Sequence, residues 1–129
     1  MSSKPKIHRL GDLQLKIMKV LWERQEATVS EVVEALGRGS NLAYTTIATM
    51  LRKMEARGLV KYRVEDRKFF YRPAIKAEEV TRKMSSHLVN RLFAGSLAEA
   101  VSHLLRANEV SREELEQIEK LITERKKKL

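Results

Sequence analysis

The chain has 129 residues, 43% hydrophobic and 33% charged, with 26 Lys+Arg against 17 Asp+Glu and a formal net charge of +9. That length holds one ordinary domain or a small domain with an appendage, the apolar share excludes global disorder, and the basic excess points to a polyanionic partner. With no cysteine, disulfides, thiolate metal sites and a cysteine nucleophile are excluded.

No apolar run is long enough to span a bilayer, and the N-terminal segment lacks the apolar stretch of a signal peptide. A cytoplasmic protein without membrane insertion is therefore expected. The charge is unevenly spread: residues 1–75 carry 15 basic against 8 acidic side chains, and residues 76–129 carry 11 against 9. The basic excess thus belongs mainly to the N-terminal part.

In chain order, residues 1–10 read as a basic arm. Asp12 is a plausible N-cap for a helix in which Leu13, Ile17, Val20 and Leu21 recur at helical spacing, with Trp22 beside them as a core residue, up to about Arg24. Thr28 and Glu31 have the spacing of a capping box, which starts a second helix over 29–36, stopped by Gly37 and Gly39. A third helix follows over 44–57, and Gly58 sits where a left-handed C-terminal cap belongs. This third helix has two faces. Ile47, Met50, Leu51 and Met54 form an apolar stripe, while Thr45, Thr46, Thr49, Arg52 and Lys53 lie opposite. Short hydroxyls and threonine methyls suit base edges, and cations one turn further suit phosphates.

Residues 59–63 and 68–72 are rich in Val, Tyr and Phe and read as a two-stranded hairpin. Its connection, 64–67, lacks an Asn-Gly or Asp-Gly pair, so a loop longer than two residues is expected. After Pro73 the pattern becomes wholly helical. Val80, Met84, Leu88 and Leu92 recur every four residues over 76–93, and Gly95 ends that helix. Ser96 caps a shorter helix with Leu97, Val101, Leu104 and Leu105, and Ser111 with Glu114 opens a last one carrying Leu115, Ile118, Leu121 and Ile122. These helices have no evident common core, and a segment this short gains little stability alone. Burial against a second copy is expected, with packing back on the N-terminal part as the alternative.

The fold class is therefore mainly α with a small β-hairpin: a winged helix-turn-helix domain over 1–75 and a C-terminal α-helical dimerisation region over 76–129. The expected base-reading residues are Thr45, Thr46 and Thr49. The expected DNA-backbone residues are Lys6, Arg9, Tyr44, Arg52, Lys53, Arg67 and Lys68; Tyr44 either meets a phosphate or packs on the wing. The expected dimer interface takes Val80, Met84, Leu88, Leu92, Leu97, Val101, Leu104, Leu115, Ile118 and Ile122. No metal and no cofactor is expected. His8, His87 and His103 are far apart in sequence and no nucleophile or phosphate-loop motif occurs, which argues against an enzyme.

Leu10-Gly11-Asp12-Leu13, Val20-Leu21-Trp22, the run 42–51, the run 53–60, Tyr71, Pro73 and Leu92-Phe93-Ala94-Gly95-Ser96 together resemble the penicillinase-repressor family of bacterial transcription factors (BlaI/MecI, with copper-responsive CopY relatives). The resemblance covers about residues 9–124. It implies a homodimeric repressor bound to double-stranded DNA at a palindromic operator with a TACA/TGTA core, with Thr46 and Thr49 at the family's base-reading positions. It also implies derepression by a regulatory protease that cuts the C-terminal part; this chain diverges near His103 and Leu104, where the cut falls by rough alignment. The cysteine-rich metal site of the copper-responsive branch is excluded. The other regulatory reading is a winged-helix protein of another class, released from DNA by a small molecule.

Overall fold

The computed structural model describes residues 10–37 and 42–129. Lys6 and Arg9, and Gly39 in the connection before the third helix, lie outside these described residues. The elements run α1 (Asp12–Arg24), β1 (Ala27–Thr28), α2 (Val29–Gly37), α3 (Tyr44–Ala56), β2 (Val60–Glu65), β3 (Lys68–Pro73), α4 (Ala77–Phe93), α5 (Leu97–Ala107) and α6 (Arg112–Lys127). Two compact units are distinguished, Met1–His87 and Leu88–Leu129.

The helix ends follow local chemistry. Asp12 is the first helical residue rather than the cap: Gly11 takes the N-cap position, and its N–H donates to Gln14 Oε1 at 3.1 Å. Asp12 instead places a carboxylate in the first turn, where the helix dipole favours it. The capping box at α2 is complete, with Glu31 N–H donating to Thr28 Oγ1 (3.2 Å) and Thr28 N–H donating to Glu31 Oε1 (2.9 Å). At the end of α3, Gly58 has φ +78, its N–H donates to Glu55 O, and Leu59 N–H donates to Met54 O, both at 2.9 Å. This is the paired 5→2 and 6→1 arrangement that a left-handed glycine permits.

The hairpin departs from expectation in two ways. Its connection is two residues, Asp66 and Arg67, with φ +50 and +65, as the type I′ turn matched to strand twist requires. Glu65 therefore pairs with Lys68, and the antiparallel register runs back to Val60 opposite Pro73. The sheet also has a third strand: β1 pairs antiparallel with β3, Ala27 opposite Tyr71 and Thr28 opposite Phe70, giving the order β1-β3-β2. A two-residue strand carries no alternation for a sequence to display, which is why it escapes a periodicity reading.

The core of the first unit is built from Ile17, Met18 and Leu21 of α1, Val32 of α2, Ile47, Leu51 and Met54 of α3, then Leu59, Val60 and Tyr71. Burying a large aliphatic side chain contributes roughly 1.5–3 kcal/mol, so α3 is fixed mainly by its inner stripe. Gln14 ties α1 to α3, donating to Met50 Sδ at 3.6 Å and accepting from Arg57 at 3.3 Å. Trp22 packs against the core and donates its indole N–H to Ile75 O at 2.9 Å.

The start of α4 belongs to the same core. Val80 is 2% exposed and Met84 packs beside it, so the compact unit runs past residue 75. This corrects the expectation for Val80: it is spent on the chain's own core and offers no surface to a second copy. In the second unit, α5 and α6 begin at Ser96 and Ser111, whose hydroxyls accept from Glu99 N–H and Glu114 N–H at 3.1 Å each. Phe93 and His103 place their rings 5.8 Å apart. Among the described residues of this unit only Ala100 is a buried hydrophobic, while Leu92, Leu97, Leu104, Leu121 and Ile122 are about half exposed or more.

Candidate nucleic-acid interface

Because the inner stripe of α3 is locked into the core, its opposite face is presented outward. Thr45, Thr46, Thr49, Arg52 and Lys53 are all exposed. Thr45, Thr46, Thr49 and Lys53, with the edge of Met50, line one shallow depression. Arg52 lies outside that depression, on the side of Tyr71: its positive charge opposes the rise in the Tyr71 phenol pKa, which burial causes in the first place.

A second cleft lies between the starts of α2 and α3 and the wing tip, lined by Thr28, Ser30, Tyr44, Arg67, Lys68 and Phe69. The structure thus gathers the expected residues into two groups. The three threonines share a depression with Lys53, and Tyr44 joins the wing-tip cations. Arg52, Lys53, Arg67 and Lys68 form no ion pair among the described residues, so their charge is available to a ligand. Tyr44 faces the cleft with about half its surface exposed. Thr28, Ser30 and Phe69 were not foreseen at this site. The capping box marked Thr28 as a helix start, but only the β1–β3 pairing brings it beside the wing.

The wing is held by a different cation. Arg63 donates to both carboxylate oxygens of Glu26, at 2.7 and 3.0 Å, also pairs with Glu65, and stacks its guanidinium 4.4 Å from the centroid of Phe70. The Arg63 hydrogen bond is the main reason the Glu26 carboxyl titrates below its ordinary value, and Arg63 itself is shifted upward, first by Glu26 and then by Glu65. On the other face of the hairpin the rings of Tyr62, Phe69 and Tyr71 stand 5.0–6.4 Å apart; Tyr71 is buried while Tyr62 and Phe69 are about half exposed.

In the second unit, Leu88, Leu92, Leu97, Leu104 and Leu115 are exposed, Val101 and Ile118 are half-buried, and Met84 is half-buried at the core of the first unit. No helix among the described residues is long and apolar enough to cross a membrane.

Helix α3 backed by α1 and α2 and flanked by a three-stranded wing defines a winged helix-turn-helix protein. The sequence profile of the penicillinase repressor family matches residues 10–124, and the chain belongs to that family, one of transcriptional repressors rather than enzymes. It is 30% identical over 121 residues to a penicillinase repressor of Bacillus licheniformis, covering 94% of both chains. It is 37% identical over 102 residues to the transcriptional regulator BlaI of Mycobacterium tuberculosis, covering 78% of this chain and 74% of the relative. Among solved structures it is similar to the DNA-binding domain of the repressor BlaI, at 30% identity and a TM-score of 0.52, over 61% of this chain and 93% of that one.

Proposed function

We propose that this repressor acts as a homodimer on a palindromic duplex operator with TACA/TGTA half-sites, each protomer inserting α3 into one major groove. The observation that carries the reading is the outer face of α3: three exposed threonines beside Lys53, on a helix whose inner face is fully committed to the core. Threonine methyls would meet thymine methyls and the hydroxyls base edges, while Arg52, Lys53, Arg67 and Lys68, with Tyr44, hold phosphates. Lys6 and Arg9 of the N-terminal arm extend the same backbone contact.

In this reading residues 1–75, with the start of α4 packed into their core, bind DNA, and the C-terminal part beyond it dimerises. Support comes from the second unit, where a segment too short for a core of its own exposes a series of leucines. Leu88, Leu92, Leu97, Val101, Leu104, Leu115, Ile118 and Ile122 form the seam, with Met84 at its edge. The cut that the resemblance implies falls near His103 and Leu104, which α5 holds in helix, so a regulatory protease has to unwind α5 before it can act.

Selection from a random duplex library at about 150 mM salt, near physiological ionic strength, tests the proposal. A recovered palindrome with TACA/TGTA half-sites is expected, and Thr46→Ala or Thr49→Ala should relax preference at one base pair per half-site, worth on the order of 1–3 kcal/mol. Recovery of unselected sequence would mean that the basic face binds without reading.

A further inference from the structure

The chain has five methionines and no cysteine, so a mild oxidant falls first on thioether sulfur. Among the described residues, Met18 and Met54 are sealed in the core at 0% exposure, and Met84 packs against that core from α4. Met50 is placed differently. Its helical spacing assigns it to the inner stripe of α3, yet the structure leaves it half-buried at the rim of that stripe, where it lines one depression with Thr45, Thr46, Thr49 and Lys53. Its sulfur is held in place there. Gln14 Nε2 donates to Met50 Sδ at 3.6 Å, while Gln14 Oε1 accepts from Gly11 N–H at 3.1 Å and from Arg57 at 3.3 Å. The donor is thus itself fixed by the cap of α1 and the end of α3.

We infer that Met50 is an oxidation site that controls DNA release, its thioether being converted by a peroxide to the sulfoxide on the outer face of α3. A thioether carries two lone pairs, and Gln14 engages one. The other attacks a peroxide oxygen, and the S–O bond forms as the O–O bond breaks. The departing hydroxide takes the proton left on the transferred oxygen and leaves as water. Sulfur gives up two electrons and the peroxide accepts them; methionine sulfoxide reductases reverse the change. The product puts a polar acceptor where an apolar group stood. Facing thymine methyls and the acceptor-rich edges of the major groove, that oxygen loses water on complex formation and gains no donor. The inference rests on the reading of α3 as the base-reading helix and adds a chemical control of that same face.

The test uses the full chain, hydrogen peroxide, and two duplexes of about 30 base pairs, or three helical turns: a palindrome with TACA/TGTA half-sites and a scrambled sequence. Peptide mass mapping should find Met50 oxidised ahead of Met18 and Met54, with the circular dichroism of the protein unchanged. Affinity for the palindrome should then fall roughly tenfold, the effect of one polar group left unpaired. The slope of log affinity against log salt should stay the same, because no charge is lost. A sulfoxide reductase should restore the affinity. Met50→Leu, whatever its own affinity, should bind equally well before and after peroxide, whereas Met84→Leu should respond as wild type does. Full conversion of Met50 with unaltered affinity, or an equal loss in Met50→Leu, would overturn the inference and leave the DNA-binding reading standing. If the reduced protein binds the palindrome no better than the scrambled duplex, the reading of α3 fails and the inference fails with it.

Discussion

At the wing tip, Asp66 and Arg67 both hold positive φ. Aspartate tolerates this conformation, but an arginine in it carries a left-handed cost of about 1–2 kcal/mol that glycine would not. Arg67→Gly should therefore raise the melting temperature, by roughly 4–8 °C for each kcal/mol in a domain of this size, while weakening duplex binding. Calorimetry and a binding titration on one preparation would check the pair of effects, and a variant melting at or below wild type would remove the strain argument. Residues whose roles depend on local periodicity were legible in the sequence: Ile47, Leu51 and Met54 on one face of α3, the threonines on the other, and Gly58 at its end. The tip was not, because Asp66-Arg67 lacks the glycine that usually announces such a turn. Phe69 was legible as a strand residue, but its exposure depends on how far the hairpin reaches beyond the core.

Among the elements, the wing is the one held by side-chain chemistry as much as by burial. Glu26 is kept below its ordinary carboxyl value of 4.5 chiefly by the Arg63 hydrogen bond, and Glu31 below the same value chiefly by the N–H of Thr28. A depressed folded-state value means stability that is present above the ordinary value and lost as pH falls through the lowered ones. Thermal stability should therefore decline below about pH 4.5. Glu26→Gln should melt below wild type at pH 7 and show a smaller drop between pH 7 and pH 3; an unchanged drop would mean that the Glu26 contact contributes nothing. Both carboxylates keep roughly a third to a half of their side-chain surface in solvent, so the effect is small. Of these features, the capping box at α2 was readable from Thr28 and Glu31. The Glu26–Arg63 pair was not, since the partners lie 37 residues apart and meet only because β1 joins the sheet.

Across the whole molecule, apolar side chains are distributed unequally. Among the described residues, the first unit buries or half-buries every large aliphatic side chain but Val64, whereas the second leaves a series of leucines in the open. Helical periodicity revealed these stripes but not which surface covers each, and Val80 shows the difference: it shares the four-residue spacing of Leu88 and Leu92 yet ends in the chain's own core. Leu88→Asp should give a protein that sediments as a monomer and binds a two-half-site duplex weakly, with the circular dichroism of α4 retained. A dimeric Leu88→Asp protein would sink the proposed seam.

Thr28 is at once the last rung of β1, opposite Phe70, and the residue whose hydroxyl opens α2. A single position therefore sets the phase of two repeating structures, the two-residue period of the sheet and the 3.6-residue period of the helix. One inserted residue just before it cannot preserve both: either the strand swaps faces or the helix rotates by about 100°. Length variation in this stretch is thus forbidden by arithmetic rather than by crowding. The 108–111 connection ahead of α6, bound by no such double phase, is where the chain can drift.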